Sequence, residues 1–307
     1  MSDLTAGLKA LTMGNIIMFI IASILIYLAI SKEYEPMLLL PIGFGAIMAN
    51  IPFSGAIGEH GPLTLLFNIG ILTELFPLLI FIAVGAMIDF GPLLKNPKML
   101  LFGGAAQFGI FFTMSMATIL GYDLKEAASI GIIGAADGPT SIYVATKFAK
   151  HLLAPISVAA YSYMSLVPII QPPVIRALTT EQERKIRMPY EENTVSKNVK
   201  IIFPIIVTLV AGIIAPTSVA LVGFLMFGNL LRECGVTERL SKSAQNELAN
   251  LVTILLGITI GSTMTAEGFL NLDTLKIIAM GLVAFIFDTA GGVLFAKFLN
   301  LFSKNKV

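Results

Sequence analysis

Long apolar runs separated by short polar connections make up most of the chain. The first run, residues 11–30, carries no charged side chain and has about the 20 residues that a helix needs to cross a bilayer. Further runs follow, several of them interrupted by Gly and Pro, at residues 37–52, 63–88, 99–120, 154–178, 201–215, 219–231, 251–265 and 275–295. The pattern predicts an all-α, polytopic membrane protein that includes discontinuous or re-entrant helices.

Composition supports this class and excludes others. Of the 307 residues, 56% are hydrophobic and 13% are charged, and the mean hydropathy is +0.87, which is typical of a membrane protein. A net charge of +1 argues against nucleic acid as a partner. Cys234 is the only cysteine, and His60 and His151 lie far apart, which argues against a disulfide framework and against a zinc or haem site. No basic region precedes the run 11–30, so this run is expected to be a helix that the mature protein retains and not a signal peptide.

One stretch, residues 129–143, combines an acid with helix-breaking residues inside an apolar context. A carboxylate such as that of Asp137 costs about 2.5–3.5 kcal/mol at the centre of a bilayer on insertion scales, so it is seldom retained without a function. Gly138 and Pro139 follow it directly and disfavour a continuous helix. Freed carbonyls, the Asp137 carboxylate and the hydroxyls of Thr140 and Ser141 are hard oxygen ligands. The stretch is therefore a candidate cation site, with Gly134, Gly138 and Pro139 as its broken-helix backbone.

The distribution of Lys and Arg predicts topology, because short cytoplasmic connections are enriched in both residues. Three apolar segments, an odd number, lie between the basic connection at Lys95 and the one that begins at Arg184. Both connections are expected on the cytoplasmic side, so one of the three segments does not cross the membrane. The segment that contains residues 134–139 is the best candidate, and the alternative is that the Pro-rich run 168–173 breaks its helix instead. The basic connections expected inside contain Lys95 and Lys98, residues 184–200, residues 232–242, and Lys304 with Lys306.

The remaining candidates each have a structural interpretation as well. Glu74 and Asp288 are weighed equally between structural and functional roles. Tyr161 and Tyr163 are two residues apart, so at most one is expected to face the site. The stretch 257–263 indicates tight helix packing, or ligands opposite Asp137. The weaker candidates also include two hydroxyl residues of this stretch, Thr259 and Ser262, and the amide side chain of Gln171 in the run 154–178.

Six segments resemble the membrane β subunit of the sodium-pumping, biotin-dependent decarboxylases, a family that acts on oxaloacetate, methylmalonyl-CoA and glutaconyl-CoA. They are LLLPIGFG at 38–45, GAMIDFGP at 85–92, GIIGAADGPT at 131–140, AYSYMSLVPIIQPP at 160–173, LTTEQERKIRM at 178–188 and FGNLLRECGV at 227–236. The resemblance implies a transporter-like bundle of inverted repeats that decarboxylates carboxybiotin and moves sodium outward. It places an essential aspartate at Asp137, which would bind Na⁺, and a functional tyrosine at Tyr163.

The resemblance also implies partners and a location. These are a biotin carrier and carboxyltransferase subunit, a small membrane subunit of the γ or δ type, further copies of the chain, and the lipid bilayer of the inner (cytoplasmic) membrane. One integral domain, 1–307, is expected, with a first half at 1–178, a charged cytoplasmic loop at 179–200 and a second half at 201–307.

One departure leaves alternatives open. In the family, a segment like residues 303–306 leads into further helices that supply site residues, whereas this sequence ends at Val307. We therefore expect an incomplete second half, in a fragment, a truncated reading frame or a divergent member, so that this chain alone could be inactive. The competing functions are a secondary sodium- or proton-coupled transporter without bond-breaking chemistry and a non-catalytic membrane scaffold.

Overall fold

The structure is a computed structural model that describes residues 5–97, 99–187 and 195–302. All regular secondary structure in these ranges is helical, as the pattern of apolar runs predicts. Lys98, Lys304, Lys306 and residues 188–194 of the charged connection lie outside the described residues.

Eight helices precede the candidate site. They are α1 (Ala6–Lys9), α2 (Met13–Ser31), α3 (Pro36–Asn50), α4 (Pro62–Leu66), α5 (Leu75–Met87), α6 (Gly91–Lys95), α7 (Met99–Ala106) and α8 (Phe108–Ile119). The helices of the site and beyond are α9 (Leu124–Gly131), α10 (Gly138–Phe148), α11 (Leu153–Leu178), α12 (Lys197–Ile214), α13 (Val219–Glu233), α14 (Glu238–Ser243), α15 (Ala249–Ser262), α16 (Ala266–Phe269) and α17 (Leu272–Phe302).

Four helical segments in the described residues are long and apolar enough to cross a membrane. They are Met13–Ser31, Met99–Ile119, Lys197–Ile214 and Leu272–Phe302. A fifth candidate is bent: the segment Pro62–Ile71 meets α5 at an angle of 60°. The run 63–88 is therefore not one straight helix. The bend lies at Glu74, whose φ of 63° is left-handed, and its carboxylate lies 3.8 Å from the ammonium of Lys147 on α10.

Two pairs of helices cross at matched glycines. On α5 and α13, a Cβ added to Gly85 would collide with the carbonyl oxygen of Leu225, and one added to Gly228 would collide with that of Ile82. Small residues allow such close approach, on which helix packing in membranes depends.

The pair α3 and α15 repeats this arrangement. Here a Cβ on Gly45 would meet the carbonyl oxygen of Ile258, and one on Gly261 would meet that of Ile42. In all four cases the contacted carbonyl lies three residues before the glycine of the partner helix, so the two crossings have the same register.

A buried asparagine holds the end of each crossing. Asn229 on α13 donates from Nδ2 to the carbonyl oxygens of Gly85, at 3.3 Å, and Ile88, at 2.9 Å. Asn50 on α3 donates to the Met264 carbonyl oxygen at 2.7 Å and accepts from the Ala266 amide at 2.9 Å. Each asparagine thus satisfies backbone groups where the partner helix ends, which an apolar side chain could not do.

The basic connections in the described residues gather at one end of the helices. Lys200 lies 3.2 Å from the Asp89 carboxylate and 3.5 Å from that of Glu233. The pKa of Asp89 is held below its usual value by the Gly91 amide and then by Lys200. Lys297, near the end of α17, donates to the Leu178 carbonyl oxygen at 3.0 Å. The rings of Phe102 and Phe295, 5.4 Å apart, place the start of α7 beside the end of α17.

We expect Gly85→Ala to destabilise the protein, because the new methyl group must push α13 away, and overpacking of this kind costs about 1–3 kcal/mol. Gly292→Ala on α17 is the matched control, since no described atom lies within 4 Å of an added Cβ there. The measurement is the fraction of monodisperse protein that remains after heating in detergent. Equal survival of the two variants would contradict the packing argument.

Candidate functional site

The helix that begins at Leu124 is broken in its middle. After α9 the chain tightens into a 3₁₀ turn, Ile132–Ala135, and Ala136 then adopts a left-handed conformation with φ of 54°. Asp137 is extended and α10 begins at Gly138. Pro139 is tolerated at the first turn of α10, because its missing N–H has no partner there in any helix.

Asp137 caps the start of α10. Its carboxylate accepts the Thr140 hydroxyl at 2.5 Å and the Thr140 amide at 3.5 Å. The Ser141 hydroxyl donates to the Asp137 carbonyl oxygen at 2.9 Å. The positive end of the helix dipole also favours an anion at this position. These bonds fix the orientation of the carboxylate and stabilise its negative charge.

The three backbone carbonyls before this carboxylate, those of Gly134, Ala135 and Ala136, have no hydrogen-bond partner among the described residues. Ala136 is exposed and Asp137 is half-buried, so the carboxylate can be reached from outside the packed helices. A carboxylate, hydroxyls and free carbonyls form a donor set suited to a small hard cation.

The broken segment returns to the end from which it starts. The Nε2 atom of His151, just after α10, lies 2.9 Å from the Oε1 atom of Glu126 in the first turn of α9. The two arms therefore form a hairpin with the break at its tip, a shape that a re-entrant segment would have. The alternative break is not observed, because α11 runs as one helix from Leu153 to Leu178 through Pro172 and Pro173.

The two tyrosines of α11 point to different neighbours. The ring of Tyr161 packs so closely on Gly138 that a Cβ there would lie 2.7 Å from the tyrosine hydroxyl and would overlap the ring. Tyr163 instead donates its hydroxyl to the Ile278 carbonyl oxygen of α17 at 2.6 Å. Tyr161 is thus the tyrosine beside the break, whereas Tyr163 joins α11 to α17.

The 3₁₀ turn packs where α8 meets α17. A Cβ on Gly134 would lie 3.3 Å from the Ala284 Cβ and 3.4 Å from the carbonyl carbon of Gly109. Asp288 packs directly on Gly109, and its buried Oδ1 atom has no hydrogen-bond partner among the described residues. Asp288 therefore lies on the scaffold behind the break.

The other weak candidates lie apart from Asp137 in the hydrogen-bond network. The hydroxyl of Thr259 donates to the Leu255 carbonyl oxygen at 2.5 Å, and that of Ser262 donates to the Thr259 carbonyl oxygen at 2.6 Å. Both are bonds within α15, at its glycine crossing with α3. Gln171 is half-buried on α11, ten residues after Tyr161.

Sequence reasoning missed the contacts of Lys147 and the cap of α9. Lys147 pairs with Glu74 and also donates to the Tyr143 hydroxyl at 3.2 Å. Asp123 and Glu126 form a capping box at the start of α9. The spacing of this box is readable in the sequence, whereas the ion pair of Lys147 with Glu74 joins distant segments and leaves no local pattern.

Comparison with known proteins assigns the chain to a family. The family model of the Na⁺-transporting oxaloacetate decarboxylase beta subunit matches residues 14–307. The chain belongs to this family. Membership confirms the resemblance inferred from the six sequence segments.

Named members of the beta-subunit family are similar over nearly the whole chain. Methylmalonyl-CoA decarboxylase subunit beta of Propionigenium modestum is 52% identical, over 99% of this chain and 82% of the relative. Glutaconyl-CoA decarboxylase subunit beta of Acidaminococcus fermentans is 54% identical, over 96% of this chain and 78% of the relative. The oxaloacetate decarboxylase beta chain of Klebsiella pneumoniae is 44% identical, over 98% of this chain and 83% of the relative. The relatives thus carry three different substrate names.

The hairpin predicts which residues share a membrane side. Single cysteines at Glu126 and His151, in a Cys234→Ser background, are expected to react with an impermeant maleimide added from the same side. A cysteine at the exposed Arg184, beyond α11, is the reference and is expected to react from the other side only. Labelling of positions 126 and 151 from opposite sides would contradict the re-entrant topology.

Proposed function

We propose that this chain is the membrane subunit that decarboxylates carboxybiotin and couples the reaction to outward sodium transport. The observation that carries the proposal is the charged tip of the re-entrant hairpin, in a member of the Na⁺-transporting beta-subunit family. The family match favours this function over a secondary transporter without bond-breaking chemistry, and the acyl substrate is left to the partner subunit that loads the biotin.

Sodium is the cargo that we assign to Asp137. The carboxylate supplies the charge, and the free carbonyls of Gly134, Ala135 and Ala136 supply neutral oxygen ligands. Thr140 and Ser141 use their hydroxyl protons within the cap, which leaves oxygen lone pairs for a cation. Unwound backbone at a broken helix is how many transporters build such sites.

Coupling follows from competition for one carboxylate. Decarboxylation of carboxybiotin breaks the bond between N1 and the carboxyl carbon, releases CO₂ and leaves the ring nitrogen to take up a proton. If that proton passes by way of Asp137, it neutralises the carboxylate and displaces the sodium ion, because both cations stabilise the same charge. Each turnover then releases sodium, and the chemistry sets the direction of transport.

Tyr163 has a secondary role in this proposal. Its hydroxyl already donates to the Ile278 carbonyl oxygen, so the oxygen remains an acceptor. We assign it to orienting carboxybiotin or relaying the proton between α11 and α17. The tight packing of its ring on Gly281, where a Cβ would lie 2.8 Å away, keeps it in place.

The assembly is proposed on the same basis. We place the chain in the cytoplasmic membrane, with its basic end towards a biotin carrier and carboxyltransferase subunit, and with a small γ- or δ-type subunit and further copies of itself in the complex. The matched crossings of α5 with α13 and α3 with α15 support two related halves, 1–178 and 201–307.

Asp137→Asn in the reconstituted holoenzyme is expected to lower sodium-dependent decarboxylation of carboxybiotin at least about 100-fold, since it removes both the cation charge partner and the proton acceptor. Loss of radiolabelled CO₂ from carboxybiotin is the measurement. Asp123→Asn is the control, because Asp123 also caps a helix and Asn is an equally good cap. Full sodium-dependent turnover by Asp137→Asn would remove this residue from the mechanism.

A further inference from the structure

Three fully or almost fully buried hydroxyls on α10 and α11 have no hydrogen-bond partner. They are Thr146 on α10, with 1% of its surface exposed, and Ser157 and Tyr161 on α11, each with 0% exposed. The hydroxyl oxygens of all three are buried and unpaired among the described residues. We call these three side chains the hydroxyl row.

The packing of α10 against α11 aligns the hydroxyl row. The contact between Gly138 and Tyr161 sets the register of α10 against α11, which run in opposite directions from the turn at residues 149–152. Ser157 lies one turn, about 6 Å, closer to that turn than Tyr161 and on nearly the same face of α11. A helical tyrosine leans towards the preceding turn, so the Tyr161 ring extends towards Ser157.

Thr146 continues the row on the facing helix. It lies eight residues beyond Gly138, about 12 Å along α10 and within about 80° of the same face. The row therefore begins beside the Asp137 break and ends near the turn at residues 149–152. Lys147 and His151 are exposed at that turn, so water can reach its far end.

Five buried helical hydroxyls in the described residues lack a partner: the three of the row, and those of Thr113 on α8 and Thr274 on α17. Other helical hydroxyls donate to their own helix, including those of Ser129 to the Lys125 carbonyl oxygen at 2.9 Å, Thr208 to Pro204 at 2.8 Å and Thr289 to Phe285 at 2.9 Å. A buried polar group left unpaired costs about 1–3 kcal/mol. Three such groups in succession indicate that ordered water completes their hydrogen bonds.

The chemistry of the row suits a proton. The carboxylates that act on the Tyr161 hydroxyl are those of Asp137 and Glu35, so negative charge lies at one end of the row, while Ser157 and Thr146 contribute only neutral oxygens. A hydroxyl both donates and accepts a hydrogen bond, which a chain of proton transfers requires at every step.

We propose that the hydroxyl row holds a chain of ordered waters that delivers protons from the turn at residues 149–152 to the Asp137 break. The inference rests on the proposed function, because the proton consumed there is the one taken up by the biotin ring nitrogen when CO₂ leaves. Tyr161, Ser157 and Thr146 are positioning residues for the water chain.

Paired substitutions at Thr146 separate this role from packing. Thr146→Val keeps the shape but removes the hydroxyl, whereas Thr146→Ser keeps the hydroxyl and loses a methyl group. In the sodium-stimulated holoenzyme we expect Thr146→Val to lower turnover about tenfold, which is a part of what a positioned proton-transfer group contributes. The solvent deuterium isotope effect is expected to increase, and the KM for sodium is expected to stay unchanged. Thr146→Ser is expected to retain turnover near the wild-type value.

Tyr161→Phe and Ser157→Ala are expected to behave like Thr146→Val, and Thr208→Val, which removes a hydroxyl bonded within α12, is the control at wild-type turnover. The reverse ranking at Thr146, with Ser impaired and Val normal, would show a packing role and overturn the proposal. A raised KM for sodium in the row variants would overturn it as well, because the row would then bind the cation.

A second measurement does not depend on activity. Hydroxyl-radical footprinting of the wild-type protein is expected to modify the Tyr161 ring despite its complete burial, and Thr146→Val is expected to reduce that modification. No modification of Tyr161 would overturn the water chain. If the wild-type holoenzyme showed no sodium-dependent decarboxylation, the proposed function would fail, and the footprint would still decide whether the row contains water.

Discussion

The need to keep a carboxylate charged inside an apolar bundle shapes everything around Asp137. An isolated charge there is costly, and here the cost is offset by the Thr140 amide and hydroxyl and by the end of a helix dipole. Those donors exist only because the helix stops and restarts at Gly138. The same interruption frees the carbonyls of residues 134–136, so one break provides both the charge and the neutral oxygens of the proposed sodium site.

At membrane depth, a break in the backbone is tolerated only where protein surrounds it or where it lines a water-filled cavity. The hydrogen bond between His151 and Glu126 closes the hairpin at its base, and the contact of Tyr161 with Gly138 packs its tip against α11. The glycine crossings of α5 with α13 and of α3 with α15 form a scaffold beside it. This division, with a packed scaffold and a hairpin of unusual backbone, fits the ion site that we propose.

Much of this architecture could be predicted from the sequence because it depends on local composition. Apolar runs indicated the helices, and the order Asp-Gly-Pro indicated the break, while counting Lys and Arg indicated that this segment turns back. Three features could not be predicted, because each depends on contacts between segments far apart in the chain. They are the bend at Glu74, the position of Tyr161 rather than Tyr163 beside the break, and the hydrogen bonds that Asn50 and Asn229 make to their partner helices. The unpaired state of Ser157 could not be predicted either, because a helical serine usually bonds to its own backbone.

Direct sodium binding tests the central claim most closely. The measurement is equilibrium binding of ²²Na⁺ to the purified protein complex in weakly buffered solution, with the pH followed at the same time. The account predicts saturable binding that releases protons at low pH, where sodium displaces a proton from Asp137, and predicts that Asp137→Asn loses both signals. Sodium binding of unchanged affinity in Asp137→Asn would contradict it.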